Sequence, residues 1–220
     1  MNKLSFLQRP VIFIVIAWLS NMANNDPVAE CRLASTGIPR TDVEVSIVDE
    51  DDFDVATGTI GEIVVRGDVV MAGYWNRSEA TSETLRGSWL HTGDLGIMDE
   101  RGYIYLLDRK KDLVISGGNN IYLREIEEVL LKYPAVYEVA VIGVPDPLWG
   151  ESVKAVFALR PGSIVTDKEL IAFCQEHLAS YKKPHTVEFI PQLPKNAYGK
   201  ILKAGVARTV LARSAASDLD

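Results

Sequence analysis

The sequence predicts an α+β protein built from two successive parts. In the first part, residues 37–107, apolar and polar residues alternate with a period of two, which is typical of β-strands with one buried face. In the second part, which begins at Arg109, strand-like runs alternate with segments of helical periodicity. With 220 residues, 47% of them hydrophobic, the chain is long enough for one or two domains with cores of their own.

The first part contains three predicted strands, at residues 43–48, 60–66 and 102–107. The acidic stretch 49–54 separates the first two and is predicted to be a turn. Residues 87–91 then lead into Thr92-Gly93-Asp94, for which we predict a glycine turn after a strand.

The second part opens with a short β-branched strand, residues 113–115, followed by a pair of glycines. Gly117 and Gly118 let the backbone turn with positive φ, and on the glycines alone an ordinary surface hairpin explains them. We expect a helix from about Leu123 that Pro134 terminates. Its buried face is predicted to consist of Leu123, Ile126, Val129 and Leu130.

Strands and helices continue to alternate towards the C-terminus. Strands are predicted at residues 139–144, 153–159 and 186–190, a loop at 193–201 and a short helix at 203–212. Between them, Thr166 and Glu169 have the spacing of a capping box that starts a further helix. That helix has an apolar face formed by Leu170, Ile171, Cys174 and Leu178, so we expect Cys174 to pack in the core rather than to react.

Composition excludes several classes of protein. The net charge of −7 argues against binding to a nucleic-acid backbone, which requires a basic face. The two cysteines, Cys31 and Cys174, form no disulfide framework, and the three histidines are far apart, so we predict no metal site. These features indicate a reducing, cytoplasmic setting.

The N-terminal segment, residues 1–34, has a different character from the rest. Residues 10–19 are strongly apolar but too few to cross a bilayer, which takes about 20 residues. Lys3 and Arg9 resemble the start of a signal peptide, but Asn21 and Ala23 make a poor cleavage site. We expect a buried strand or a leader produced by an unusual start codon, and no membrane span.

Several short motifs occur together in a fixed order. They are Gly61-Glu62, Gly73-Tyr74, His91-Thr92-Gly93-Asp94, the block 106–130 with its charged run 108–112, Pro145-Asp146 with Gly150-Glu151, Tyr181-Lys182-Lys183-Pro184, and Gly199-Lys200. Between about residues 35 and 208, the chain resembles the AMP-forming acyl-CoA synthetases of the adenylate-forming family. Leu123 departs from the proline that is usual in the family, which affects pre-organisation of the helix start rather than chemistry.

The resemblance implies a domain layout. Residues 1–34 are a leader outside the family, and residues 35–107 are the β-barrel subdomain of a large N-terminal AMP-binding domain. Residues 108–212 are the small, mobile α+β C-terminal domain, and residues 213–220 are a tail. The family's phosphate loop and adenine motif do not occur, so we expect a C-terminal portion that lacks most of the N-terminal domain.

The resemblance also assigns the nucleotide site and the hinge. Asp94, with Thr92 beside it, is expected to bind the ribose diol of ATP or AMP, because a carboxylate accepts two hydroxyl hydrogen bonds. On the turn alone, Asp94 could equally cap its own loop. Arg109 is the expected second ribose contact, and Asp108 is the expected hinge. Lys200 is the expected catalytic lysine, which would stabilise charge as pyrophosphate leaves.

A second group of residues is expected to serve coenzyme A. Gly117 and Gly118 resemble the hairpin that lines the pantetheine tunnel. Trp149, Tyr181 and Lys183 match positions that some relatives use around the adenine and phosphates of CoA, although Trp149 could simply fill a surface gap. Mg²⁺ is expected to accompany ATP with its ligands mainly outside this portion.

The resemblance thus implies part of an acyl-CoA ligase, which activates a small-molecule carboxylic acid with ATP and transfers the acyl group to CoA. A separate N-terminal half is one possible partner. Two alternatives stay open: a non-catalytic interaction module left by truncation, and part of a peptide-synthetase-type adenylation domain.

Overall fold

The computed structural model describes residues 35–217, so the predicted leader 1–34 lies outside the described residues. The described chain forms two compact units, and the boundary between them falls between Lys111 and Asp112. Both units combine sheets, in which most strand pairs are antiparallel, with helices, as the predicted α+β class requires. No helix within residues 35–217 is long and apolar enough to cross a membrane.

The first unit is built on a five-stranded antiparallel sheet. Its strands are β1 (Glu44–Val48), β2 (Gly61–Arg66), β3 (Leu85–Arg86), β4 (Trp89–Met98) and β5 (Ile104–Arg109). β4 is the central strand, since it pairs with β2, β3 and β5. The three strands predicted from alternating hydrophobicity are therefore confirmed, with each end within two residues of its predicted position.

The core of the first unit lies on both faces of β2, where Gly61 to Val65 are all buried. One cluster contains Ile47, Ile63 and Ile104, and another contains Val43, Val65 and Leu90. Because adjacent strand residues point to opposite faces, burial of Ile63, Val64 and Val65 in succession means that both faces of β2 are covered. A short helix, α1 (Ser78–Thr84), was not predicted.

The predicted glycine turn at Thr92-Gly93-Asp94 is wrong, because these residues lie inside β4. Glu62 pairs with Leu95 and Val64 pairs with His91, so three residues of β4 face only Ile63 of β2. Gly93 has a φ of 71°, which lets the chain bulge without leaving the sheet. The glycine signal therefore marks a β-bulge, which redirects neighbouring side chains rather than reversing the strand.

The second unit contains a mixed five-stranded sheet of β6 (Val114–Ser116), β7 (Asn119–Ile121), β8 (Val136–Asp146), β9 (Gly150–Leu159) and β10 (Thr186–Phe189). β9 is central: β8 pairs with it antiparallel along its whole length, and β10 pairs parallel. β6 joins β9 through the single pair Ser116 and Gly150, and β7 pairs with β6.

Helices cover both faces of this sheet. They are α2 (Leu123–Leu130), α3 (Asp167–His177) and α4 (Lys203–Ser217). Val139, Val141 and Phe157 share a core with α2 and α3, whereas the alternate residues Ala140, Ile142 and Val156 share one with α4. The predicted apolar runs of β8 and β9 are continuous because both of their faces are buried.

Local predictions in the second unit are largely confirmed. The face of α2 is buried as expected, and the Thr166–Glu169 capping box is present in both directions. Cys174 is fully buried, and burial raises the pKa of its thiol to about 11. The last helix is longer than predicted, running to Ser217 instead of 212, so the first residues of the predicted tail are helical.

Candidate functional site

The predicted ribose contacts, Asp94 and Arg109, are brought together by the first sheet. They are direct cross-strand partners of β4 and β5, and Arg109 Nε lies 3.3 Å from Asp94 Oδ1. The Asp94 side chain is only 3% exposed, while that of Arg109 is 31% exposed. The pair thus forms a buried carboxylate with a partly accessible guanidinium beside it, an arrangement suited to polar hydrogen bonds with a diol.

Thr92 fixes the bulge from which Asp94 projects. Its hydroxyl donates to the carbonyl of Ile63 at 2.6 Å and accepts from the backbone N–H of Asp94 at 3.1 Å. In these bonds, Thr92 acts on the backbone that positions Asp94. Its expected contact with a nucleotide stays a prediction.

Glu62 is a buried acid beneath the same bulge, with an exposed fraction of 5%. Its Oε1 accepts from the Gly93 N–H at 3.0 Å, and its Oε2 accepts from Lys110 Nζ at 3.1 Å. His91 Nδ1 lies 3.5 Å from the same Oε2. Burial opposes ionisation, but the hydrogen bonds and the Lys110 and His91 charges prevail and hold the pKa of Glu62 below its ordinary value.

Asp108, the expected hinge residue, lies in β5 and is 7% exposed. Its backbone pairs with Leu95, and its Oδ1 accepts from the Arg109 N–H at 2.8 Å. The expectation that β5 ends before Asp108 is wrong, since the strand runs through Arg109. A 3₁₀ turn, Lys110–Asp112, follows, and the boundary between the two units falls within it.

Gly117 and Gly118 form the two-residue turn of the β6–β7 hairpin, with φ values of 54° and 78°. Positive φ at both positions matches the tight turns that suit the twist of paired strands. The Gly117 N–H donates to the carbonyl of Trp149 at 3.1 Å, and a Cβ on Gly117 would lie 2.7 Å from the Trp149 ring. The structure therefore places Gly117 and Trp149, predicted separately, against each other.

Trp149 is held by the acid that precedes it. Asp146 Oδ1 accepts from the N–H groups of Leu148 and Trp149 at 2.9 and 3.0 Å, and these bonds lower the pKa of Asp146. Glu151 Oε2 accepts from the Ile115 N–H at 3.0 Å and so fixes the neighbouring strand β6. The indole stays 48% exposed, leaving an aromatic surface beside the hairpin.

Tyr181 and Lys183 lie at a 3₁₀ turn, Ser180–Lys182, and the Tyr181 side chain is exposed. The neighbouring Lys182 donates to both carboxylate oxygens of Glu125 at 2.8 and 2.7 Å. This ion pair ties the turn to the first turn of α2, where Glu125 lies.

Lys200 lies in a closed loop rather than the flexible one that its composition suggests. The Asn196 side-chain oxygen accepts from the N–H groups of Tyr198 and Lys200 at 3.0 and 2.9 Å. The Asn196 N–H donates to the carbonyl of Lys200 at 2.9 Å, and Lys195 and Ile201 form a β-bridge at the neck. The Lys200 side chain is exposed at the end of this loop.

The Lys200 loop and the glycine hairpin lie at opposite ends of the β8–β9 ribbon. Lys195, at the neck of the loop, forms an ion pair with Glu138 near the start of β8. Trp149 follows Asp146, the last residue of β8. Because the pairing between Glu138 and Asp146 is regular and each strand residue rises about 3.3 Å, the two anchors are roughly 25 Å apart.

Sequence reasoning assigned no site role to three residues that shape these sites: Glu62, Lys110 and Asn196. Glu62 carried a detectable signal, since it is a charged residue directly before the apolar run Ile63 to Val65 of β2. Asn196 also carried one, because an Asn side chain in a loop readily accepts a hydrogen bond from the backbone N–H two residues on. Lys110 stands within a charged run, where no local pattern distinguishes a paired lysine from a solvated one.

The described residues contain no group of three or more His, Cys, Asp and Glu that could hold a metal ion.

Two family models match the chain. The model described as AMP-binding enzyme matches residues 12–75, and that of the AMP-binding enzyme C-terminal domain matches residues 125–200. The first match starts within the segment 1–34, which we expected to lie outside the family.

Curated relatives agree with these matches. The chain is 47% identical over 169 residues to a long-chain-fatty-acid–CoA ligase of Salmonella typhimurium, covering 77% of this chain and 30% of the relative. It is 47% identical over 179 residues to a 2-succinylbenzoate–CoA ligase of Bacillus cereus and 48% identical over 181 residues to a feruloyl-CoA synthase of Amycolatopsis sp.. These alignments cover 81% and 82% of this chain but 37% of each relative.

Solved structures share the fold. The o-succinylbenzoate CoA synthetase of Bacillus subtilis, in complex with an acyl-adenylate intermediate, matches with a TM-score of 0.76 and 40% identity over 81% of this chain and 36% of that one. An amide bond synthetase from Marinactinospora thermotolerans matches with a TM-score of 0.74 and 39% identity, covering 80% and 36%. The chain thus spans about a third of the length of the proteins it matches.

Proposed function

We propose that this chain, which belongs to the AMP-binding enzyme family, forms the C-terminal portion of an AMP-forming acyl-CoA ligase. The observation that carries the proposal is that the second unit has two candidate functional surfaces, which are separated along its central strands. An exposed lysine is presented at one end of the β8–β9 ribbon, and a glycine hairpin with an exposed indole lies at the other. Because the two ends of the ribbon are roughly 25 Å apart along β8, the two surfaces would serve one reaction centre in turn.

In the first step, the carboxylate of the acid substrate attacks the α-phosphate of ATP, which gives acyl-AMP and releases pyrophosphate. Asp94 and Arg109 would hold the ribose hydroxyls, with Thr92 supporting the bulge between them. Lys200 would donate from its ammonium to the carboxylate and the α-phosphate, where negative charge accumulates. Mg²⁺ would neutralise charge on the ATP phosphates when bound, with ligands outside the described residues.

In the second step, the CoA thiol attacks the acyl carbonyl carbon, loses its proton and displaces AMP. The Gly117–Gly118 turn presents a surface without side chains, along which the narrow pantetheine arm could pass. Trp149 would stack on the adenine of CoA, and Tyr181 and Lys183 would contact its ring and phosphates.

A change between these steps requires a pivot between the units. Sequence reasoning placed it at Asp108, but the pairing and burial of that residue favour a pivot just after it, in the turn Lys110–Asp112. A turn can absorb a change in φ and ψ without breaking a strand ladder, whereas Asp108 cannot.

We also propose how this chain relates to the larger AMP-binding domain of the whole enzyme. The sheet of the first unit would be the barrel lobe of a larger AMP-binding domain, and the acid-binding pocket would lie in residues that this chain does not contain. A cytoplasmic location and a separate N-terminal half as partner belong to the proposal as well.

The test is a fusion in which this chain replaces the matching C-terminal portion of the succinylbenzoate ligase of Bacillus subtilis. We expect the fusion to form succinylbenzoyl-CoA, AMP and pyrophosphate, and the same fusion carrying Lys200→Ala to lose at least about a hundredfold in rate. A folded fusion without activity would contradict the proposal and favour the non-catalytic interaction module.

The peptide-synthetase alternative predicts a different acceptor. In that case the fusion would form acyl-AMP at a normal rate but would not use CoA. Thioester formation with CoA would exclude it.

A further inference from the structure

Glu62 links two segments of the first unit that the proposed function uses. It lies on β2 and is 5% exposed, yet it carries a charge in a strand whose other buried residues are Gly61, Ile63, Val64 and Val65. A buried charge is costly unless donors and opposite charges surround it. Glu62 meets that condition with its two oxygens directed to different segments.

Glu62 Oε1 holds the β4 bulge at Gly93. Gly93 is the residue of β4 that adopts positive φ, and the bulge displaces it from regular pairing with β2. Its N–H donates to Glu62 Oε1 at 3.0 Å, so a side chain replaces the strand carbonyl that a regular ladder would supply. Asp94 follows directly, and its direction depends on the conformation of Gly93.

Glu62 Oε2 holds Lys110, the first residue of the 3₁₀ turn at the boundary between the two units. Lys110 Nζ donates to Glu62 Oε2 at 3.1 Å, and the 3₁₀ turn Lys110–Asp112 begins at this lysine. The Lys110 side chain is 41% exposed, while that of Glu62 is 6% exposed, so the ion pair anchors a surface segment to a buried point. Arg86 and His91 also approach Oε2, at 3.9 and 3.5 Å.

We propose that Glu62 is a positioning residue that fixes the Gly93–Asp94 bulge with one carboxylate oxygen and the start of the boundary turn with the other. The proposal rests on the proposed function for the ribose role of Asp94 and the pivot. It adds that Glu62 anchors both the ribose-binding bulge and Lys110. Because Lys110 is anchored to the first unit, the pivot begins after this residue.

Because each oxygen has a separate task, substitutions should separate the tasks. Glu62→Gln retains an acceptor oxygen for Gly93 but loses the charge opposite Lys110. Lys110→Met removes the same ion pair from the other side and leaves the Gly93 bond intact. Glu62→Ala removes both. Glu44→Gln is the matched control. Glu44 is an exposed acid on the adjacent strand β1, and its carboxylate forms an ion pair with Arg66.

The first test uses the full chain and two local readouts: amide exchange at Gly93 and the rate of tryptic cleavage after Lys111. We expect Glu62→Ala to accelerate both at least about tenfold. Glu62→Gln and Lys110→Met should accelerate the cleavage by similar factors and leave Gly93 exchange within about twofold of wild type. The control should change neither. If Gly93 exchange in Glu62→Ala equals that of wild type, or if cleavage in Lys110→Met is unchanged, the proposal is wrong.

The second test uses the fusion enzyme and separates positioning from mere stability. Glu62→Ala should raise the KM for ATP about tenfold, whereas Glu62→Gln should leave that KM within about twofold. Equal KM values in the two variants would overturn the link to ribose binding. An inactive wild-type fusion would instead count against the proposed function, and exchange and cleavage in the full chain would still decide whether Glu62 anchors both segments.

Discussion

At the scale of the residue, single polar side chains hold the candidate sites by accepting hydrogen bonds from backbone N–H groups. Glu62 accepts from Gly93, Asp146 from Trp149 and Asn196 from Lys200. Such bonds satisfy backbone donors that irregular segments leave outside a ladder. Loss of one acceptor should therefore loosen one segment and leave the surrounding sheet intact.

Asn196 provides the clearest example. Asn196→Ala removes the acceptor for the N–H groups of Tyr198 and Lys200, and we expect both amides to exchange at least about tenfold faster, with about 1 kcal/mol lost from the stability of the second unit. In the fusion enzyme, acyl-AMP formation should fall about tenfold because Lys200 is no longer held. Asn196→Asp retains an acceptor oxygen and is the control. Unchanged exchange in Asn196→Ala would show that the loop does not depend on this side chain.

Cys174 should be chemically silent in the folded chain. Burial raises the pKa of its thiol to about 11, so little thiolate forms at neutral pH, and the sulfur is also inaccessible. In a Cys31→Ser background, we expect a thiol reagent to react with Cys174 at least about a hundredfold more slowly in buffer than in denaturant. Comparable rates in the two solvents would contradict its position in the core.

At the scale of the element, the β6–β7 hairpin can be tested with two adjacent glycines that differ in one respect. Both have positive φ, which costs a non-glycine residue roughly 1–2 kcal/mol. A Cβ at Gly118 would meet nothing within 4 Å, whereas one at Gly117 would lie 2.7 Å from the Trp149 ring. Only Gly117 therefore combines backbone strain with a clash.

We expect Gly118→Ala to destabilise the second unit by about 1 kcal/mol and Gly117→Ala by at least about 1 kcal/mol more. Urea unfolding of the full chain, followed through the Trp149 indole resonance, measures the difference. Equal effects would mean that Trp149 does not pack against the turn.

Regular elements were predictable from the sequence because their signals are local. The buried face of α2, the Thr166–Glu169 capping box and the strands β1, β2 and β5 follow from periodicity and spacing alone. The bulge at Gly93 was not predictable, because a glycine that bends a strand and one that reverses it look the same in sequence. The distinction depends on β2, whose paired residues lie some thirty positions earlier.

The contacts between site residues could not be predicted from the sequence either. Glu62 and Lys110 are 48 residues apart, and Lys182 and Glu125 are 57 apart, so neither ion pair leaves a local pattern. The contact between Gly117 and Trp149 depends on how β6 joins β9. The roles of Asp94, Arg109 and Lys200 came from family resemblance, whereas their surroundings came from the fold.

At the scale of the whole molecule, the two units divide the proposed work. The first carries the proposed ribose contacts, Asp94 and Arg109, on β4 and β5, and the second carries the Lys200 loop and the glycine hairpin at opposite ends of β8 and β9. The central claim is that these two ends serve two successive half-reactions. It predicts that a defect at one end spares the half-reaction served by the other.

The most direct measurement compares Lys200→Ala and Trp149→Ala in the fusion enzyme, with acyl-AMP formation and acyl transfer from preformed acyl-AMP to CoA assayed separately. Lys200→Ala should lose at least about a hundredfold in acyl-AMP formation and retain transfer within about threefold. Trp149→Ala should retain acyl-AMP formation and lose about tenfold or more in transfer, mainly through a higher KM for CoA. If both variants lose the two half-reactions to the same extent, the division of work between the ends of the second unit is contradicted.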